Sequence, residues 1–101
     1  MAKVRVVRIY ITEGDKTLKP LMHYLREEHK IKGVTVFRGI TGFGQSGVVH
    51  ESSFSDLIPD LPLVVEFFDT QEVFDSIGEK LNAMIEPGHM ITWLADDNRP
   101  E

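Results

Sequence analysis

Two segments with helical spacing of apolar residues are each bracketed by short runs rich in β-branched residues, and that order leaves few folds open. Residues 4–12 read as a first strand. Glu13-Gly14-Asp15 breaks it, and Asp15 is placed to cap a helix over about 16–30. On that helix Leu18, Leu21, Met22 and Leu25 share one apolar face. Pro20 falls in the first turns, where proline is best tolerated, and so permits a later start. Gly33 closes the connection, and 34–40 is a second strand. A third, strongly apolar strand covers 63–68. Asp69-Thr70 leads into a second helix ending near Met84, with Val73, Phe74, Ile77 and Leu81 inward. Pro87-Gly88 stops it, and 90–95 is a fourth strand. The polar residues 96–101 are expected to form a flexible tail.

The resulting order, β-α-β-β-α-β, is the split ferredoxin-like pattern. It predicts an α+β domain spanning 1–101, with a four-stranded antiparallel sheet and two helices on one face. The other face should be polar in a monomer. Alternating positions such as Val4, Val6, Arg8 and Tyr10, or Val64, Glu66 and Phe68, instead leave largely apolar rows on both sides. Single charges at Arg8, Arg38 and Glu66 interrupt them, and charges survive in a buried surface mainly when paired. The pattern predicts an oligomer that buries the open face, with Arg8, Tyr10 and Glu66 at the interface and an Arg–Glu pair fixing its register.

Composition narrows the function. A 101-residue chain that is 42% hydrophobic and 27% charged suits one soluble domain. Such a chain buries only about two-thirds of its unfolded surface, so oligomerisation would add usefully to the core. The formal net charge is −5 with no basic block, which argues against nucleic-acid binding. Without cysteine there is neither a disulfide framework nor thiolate chemistry. The N-terminal residues are too charged for a signal peptide, and no apolar run approaches a membrane span. A cytoplasmic protein without direct membrane insertion is expected.

Residues 39–47 carry four glycines in nine positions directly after a strand. Glycine weakens strands, and belongs where a backbone turns sharply or approaches a ligand closely. Gly-rich loops after strands often present N–H groups to anions. Residues 41–62 read as one long loop, and long loops in compact domains are commonly functional. The plainer reading is a strand exit with turns and a bulge.

Taken together, Arg8-Ile9-Tyr10, Lys32-Gly33-Val34-Thr35-Val36, Arg38-Gly39-Ile40, Gly42-Phe43-Gly44, and Pro59-Asp60-Leu61-Pro62 leading into Val64-Val65-Glu66 resemble the P-II signal-transduction superfamily. They resemble in particular a small bacterial and archaeal group of P-II-like proteins of unknown function. The likeness runs from residue 5 to about 95. It implies a homotrimer of ferredoxin-like subunits that is a regulator, not an enzyme. Ligands would sit in clefts between subunits at the base of the long loop, and the loop would dock on a transporter, channel or enzyme. The implied ligand is a nucleotide or another small anion. Its candidate contacts are Arg38, Gly39, Thr41, Gly42, Phe43, Gly44 and Gln45, with Gly88 and His89 from the turn before the last strand. The chain departs from the superfamily in that turn, Glu86-Pro87-Gly88-His89, which has no lysine, and in its acidic tail.

Each candidate has a plainer role. Phe43 either stacks on a ligand ring or plugs the subunit interface. Arg38 either binds an anion or pairs with Glu66. Phe54 and Leu57, apolar residues in a polar loop, are partner anchors or fold back on the sheet edge. The serines of Glu51-Ser52-Ser53-Phe54-Ser55-Asp56 are modification sites or ordinary loop sequence. His23, His29, His50 and His89 show no metal-ligand spacing, and no metal is expected. His50 and His89 either meet a ligand or stay in solvent. Two alternatives stand beside the regulator: a ligand-free trimeric scaffold, and a metal-responsive trimer of the copper-tolerance type. Catalysis has little support, since Thr12-Glu13-Gly14-Asp15-Lys16 is too acidic for the phosphate loop that acylphosphatases place after their first strand.

Overall fold

The computed structural model describes residues 1–29, 31–43, 49–51 and 61–100, the segment 49–51 by its backbone. Its elements are β1 (Ala2–Thr12), α1 (Leu18–His23), β2 (Val34–Arg38), β3 (Thr41–Phe43), β4 (Val49–Glu51), β5 (Pro62–Asp69), α2 (Gln71–Met84) and β6 (Met90–Asp97). Four strands form an antiparallel sheet in the order β2-β5-β1-β6, as the ferredoxin-like pattern requires. β3 and β4 form a separate two-stranded ribbon within 41–62, where the sequence suggested only loop.

The core lies between one sheet face and the helices. Residues paired directly across strands project from the same face. Val7, Ile9 and Ile11 of β1 thus join Leu63, Val65 and Phe67 of β5, all buried. Leu21 and Leu25 from the first helix and Ile77 and Leu81 from α2 cover them and are fully buried. Leu18, Met22, Val73 and Phe74 pack around this cluster.

The first helical segment departs from the expected continuous helix. Asp15 does not cap it; its Oδ1 accepts the Thr17 N–H at 2.7 Å, and the helix begins at Leu18. Pro20 thus sits in the first turn, where its missing N–H costs nothing. After His23 the chain widens into a π-helical turn, Tyr24–Glu28. The His29 N–H reaches the Tyr24 carbonyl at 3.1 Å, and Ile31 N–H reaches Leu25 at 2.8 Å. This wider turn carries Tyr24 and Leu25, both buried.

α2 follows expectation, with Thr70 as its N-cap accepting the Val73 N–H at 3.1 Å. β6 runs to Asp97, two residues into the expected tail, because Ala2 and Lys3 pair with Asp97 and Asp96. Lys3 Nζ lies 2.8 Å from Asp96.

Candidate functional site

β2 ends where its neighbour demands it. Gly39 N–H donates to the Pro62 carbonyl at 2.7 Å. A Cβ on Gly39 would stand 2.7 Å from Pro62 Cγ, and one on Gly42 would stand 3.1 Å away. Gly39 is required by this close approach, Gly42 sits tightly against the same proline ring, and the turned chain then becomes the ribbon β3–β4.

This exit forms one wall of a cleft of about 1120 Å³ at the end of the sheet. Phe37, Arg38, Gly39, Thr41, Gly42 and Phe43 line it from the β2 exit and ribbon, and Tyr10, Thr12, Asp15 and Thr17 from the end of β1 and the start of α1. The C-terminal turn of α2 and the turn after it supply the far wall, including Asn82, Glu86, Pro87 and His89. That turn is held by His89 N–H on the Glu86 carbonyl at 3.1 Å, and Tyr10 N–H donates to the His89 carbonyl at 2.8 Å. Gly88 has φ +86°, the left-handed region that favours glycine. It faces a smaller depression beside the cleft.

Six of the nine candidate ligand contacts therefore meet in one cleft: Arg38, Gly39, Thr41, Gly42, Phe43 and His89. Gly44 and Gln45, like the partner candidates Phe54 and Leu57, lie outside the described residues. Phe43 is 75% exposed and plugs nothing within its own chain. Arg38 does not pair with Glu66. Its Nη2 lies 2.6 Å from Oε1 and 2.9 Å from Oε2 of Glu13. Register explains why the two do not meet within one chain: Arg38 pairs with Leu63, on the helix-bearing face, whereas Glu66 stands on the other.

The open face has three cross-strand rows. Phe37, Val64 and Tyr10 form one; Thr35, Glu66, Arg8 and Ile91 the next; Phe68, Val6 and Trp93 the third. Phe37, Tyr10, Phe68, Ile91 and Trp93 are all exposed in the single chain. At the centre Arg8 donates through Nε and Nη2 to Glu66 Oε1 at 2.9 and 2.5 Å. Its guanidinium also lies 5.3 Å from the Trp93 ring centroid, a cation–π contact. Hydrogen bonding to Glu66, with a smaller effect from Tyr10, raises the Arg8 pKa above its ordinary value. This Arg–Glu pair lies within one chain, whereas the pair expected from the sequence fixes the register of an oligomer.

Sequence reasoning missed Glu13, Glu86 and Trp93. Trp93 carried a usable signal, alternating with Ile91 in the last strand. Glu13 carried none, since its contact with Arg38 joins residues 25 apart. Among the described residues no group of three or more His, Asp or Glu side chains converges to hold a metal, and no helix is long and apolar enough to cross a membrane.

The ferredoxin-like fold is shared with solved P-II-like and CutA1 structures. The fold matches CPII, a nitrogen regulatory PII-like protein from Thiomonas intermedia K12 bound to ADP, AMP and bicarbonate, with TM-score 0.65 and 16% identity over 98% of this chain and 92% of that one. It also matches the divalent ion tolerance protein CutA1 from Ehrlichia chaffeensis, with TM-score 0.60 and 13% identity over 100% of this chain and 87% of that one. At such identities the likeness concerns the fold. Sequence goes further. Residues 4–96 match the DUF190 model (Uncharacterized ACR, COG1993). The chain is 34% identical over 96 residues to UPF0166 protein MJ1524 of Methanocaldococcus jannaschii, covering 90% of this chain and 87% of the relative. It is 34% identical over 76 residues to a UPF0166 protein of Aquifex aeolicus, covering 71% and 72%. The chain belongs to the DUF190 (UPF0166) family.

Proposed function

We propose that this protein is a non-enzymatic, P-II-like cytoplasmic regulator. A small anionic ligand or nucleotide binds at the cleft, between copies of the chain in a homotrimer. Occupancy sets the conformation of residues 41–60, which dock on a transporter, channel or enzyme. The observation that carries this reading is the shared cleft: the base of the 41–62 segment and the turn ending at His89 line one cavity. A ligand there touches the root of the segment that would signal, and it shifts that segment by its differential affinity for two states. The PII-like protein of similar fold, described as bound to ADP, AMP and bicarbonate, supports the choice of ligand class. The exposed apolar face with its internally neutralised Arg8–Glu66 pair supports self-association.

Thermal melts of the purified protein against nucleotides, dinucleotides, small carboxylates and divalent metals test the proposal. A ligand at about 100 times its Kd adds about 2.7 kcal/mol per site, a shift of about 10–20 °C in Tm for a domain of this size. A selective shift by one anion is expected. A panel that is flat at high concentration favours a ligand-free scaffold, and a shift confined to metals favours a metal-responsive trimer.

A further inference from the structure

The cleft's electrostatics do not suit a polyphosphate. Among the described residues its only guanidinium is Arg38, and Glu13 already holds that group through both carboxylate oxygens, at 2.6 and 2.9 Å. Asp15 and Glu86 line the same cavity. The C-terminal turn of α2 faces it as well, and that turn carries no basic residue. Helix C-termini present unsatisfied carbonyls and a partial negative charge, which favour cations and disfavour anions. Among the described residues the lining thus carries one guanidinium, the Asp15 and Glu86 carboxylates and the His89 imidazole, with Glu13 reaching it through Arg38. Phe37, Tyr10, Pro62 and Met84 add apolar lining.

We infer that the ligand is a zwitterion of the amino-acid type, with one carboxylate, one ammonium and an apolar body. This rests on the cleft being the ligand site proposed above, and it changes the ligand there from a net anion to a net-neutral zwitterion. The binding event is an exchange of ion pairs. The ligand carboxylate takes the Arg38 fork, the geometry in which guanidinium binds carboxylates best. Glu13, released from Arg38, receives the ligand ammonium. One ion pair is lost and two form, so a zwitterion recovers the cost of opening the latch, while a simple anion leaves Glu13 without its partner beside new negative charge. The exchange also reaches the segment proposed to signal. Glu13 N–H donates to the Leu61 carbonyl at 2.8 Å, and Leu61 directly precedes β5 at the far end of that segment.

Isothermal titration of the full chain near neutral pH with each of the twenty amino acids, and with ADP, tests this. At least one amino acid is expected to bind more tightly than ADP. Its decarboxylated amine and its deaminated acid should each bind about tenfold more weakly or worse, as loss of a charged hydrogen-bonded pair implies. In Glu13→Gln the amino acid should weaken by a similar factor while the deaminated acid gains affinity, reversing their order. ADP or a plain carboxylate binding more tightly than every amino acid overturns the inference and leaves the ligand site standing. An amino acid indifferent to Glu13→Gln overturns the exchange. Absence of binding by every compound, ADP included, overturns this inference and the ligand-binding reading together.

Discussion

Arg8 and Glu66 stand directly opposite one another on β1 and β5, and the arginine donates twice to a single carboxylate oxygen. The pair neutralises itself at the centre of an apolar face, so it needs no complementary charge from a second copy. Replacing Glu66 by alanine strands a cation there, and removing one member of such a pair is worse than replacing both with apolar residues. Glu66→Ala should reduce self-association in multi-angle light scattering, whereas Arg8→Met with Glu66→Leu should retain it. Equal mass distributions for the two variants would count against burial of this face.

Trp93 and Phe68 flank Val6 in the third row of the open face. Trp93→Glu places a carboxylate where the proposed trimer packs, while touching none of the fully buried side chains of the core. The far-ultraviolet circular dichroism should be unchanged and the protein monomeric. A variant that keeps the wild-type mass would move the interface elsewhere.

Gly39 approaches Pro62 too closely for any side chain. Gly39→Val should displace the β2 exit and weaken or abolish the ligand-induced Tm shift. Retention of the full shift would separate the cleft from the root of the long segment.

Stability should respond most to the helix-facing core. Leu81 is fully buried, and Leu81→Ala is expected to cost about 2–5 kcal/mol in denaturant titration. Thr70→Ala removes the α2 cap at about 1 kcal/mol, or about 4–8 °C in Tm. If the cap variant proved as damaging as the core variant, Thr70 would have a role beyond capping.

The sheet and α2 were legible in the sequence because local and tertiary demands agree there. Val65 and Phe67 alternate as a half-buried strand should, and Ile77 and Leu81 recur as one helix face should. The first helix was read too regular because the spacing of its apolar residues does not mark the wider turn at Tyr24–Glu28. The ribbon was missed because its two strands are three residues each, and glycine at position 42 hides one of them. For the cleft, glycine spacing marked the wall at 39–43, where backbone must pass Pro62. The charge balance was not legible, because the contact between Arg38 and Glu13 depends on where β1 and β2 end in space.

The pairing of Ala2 with Asp97 puts the first and last strands side by side at the end of the sheet remote from Tyr10 and the cleft. Tyr10 lies eight positions along β1 from Ala2, about 27 Å at the usual rise of a strand. A fluorophore attached near either position would be a poor reporter of ligand occupancy, sensing events at its own end of the sheet. A probe on the ribbon, near Thr41, would have the opposite bias. Used as a donor and acceptor set, the two would separate assembly from ligand response within one labelled protein.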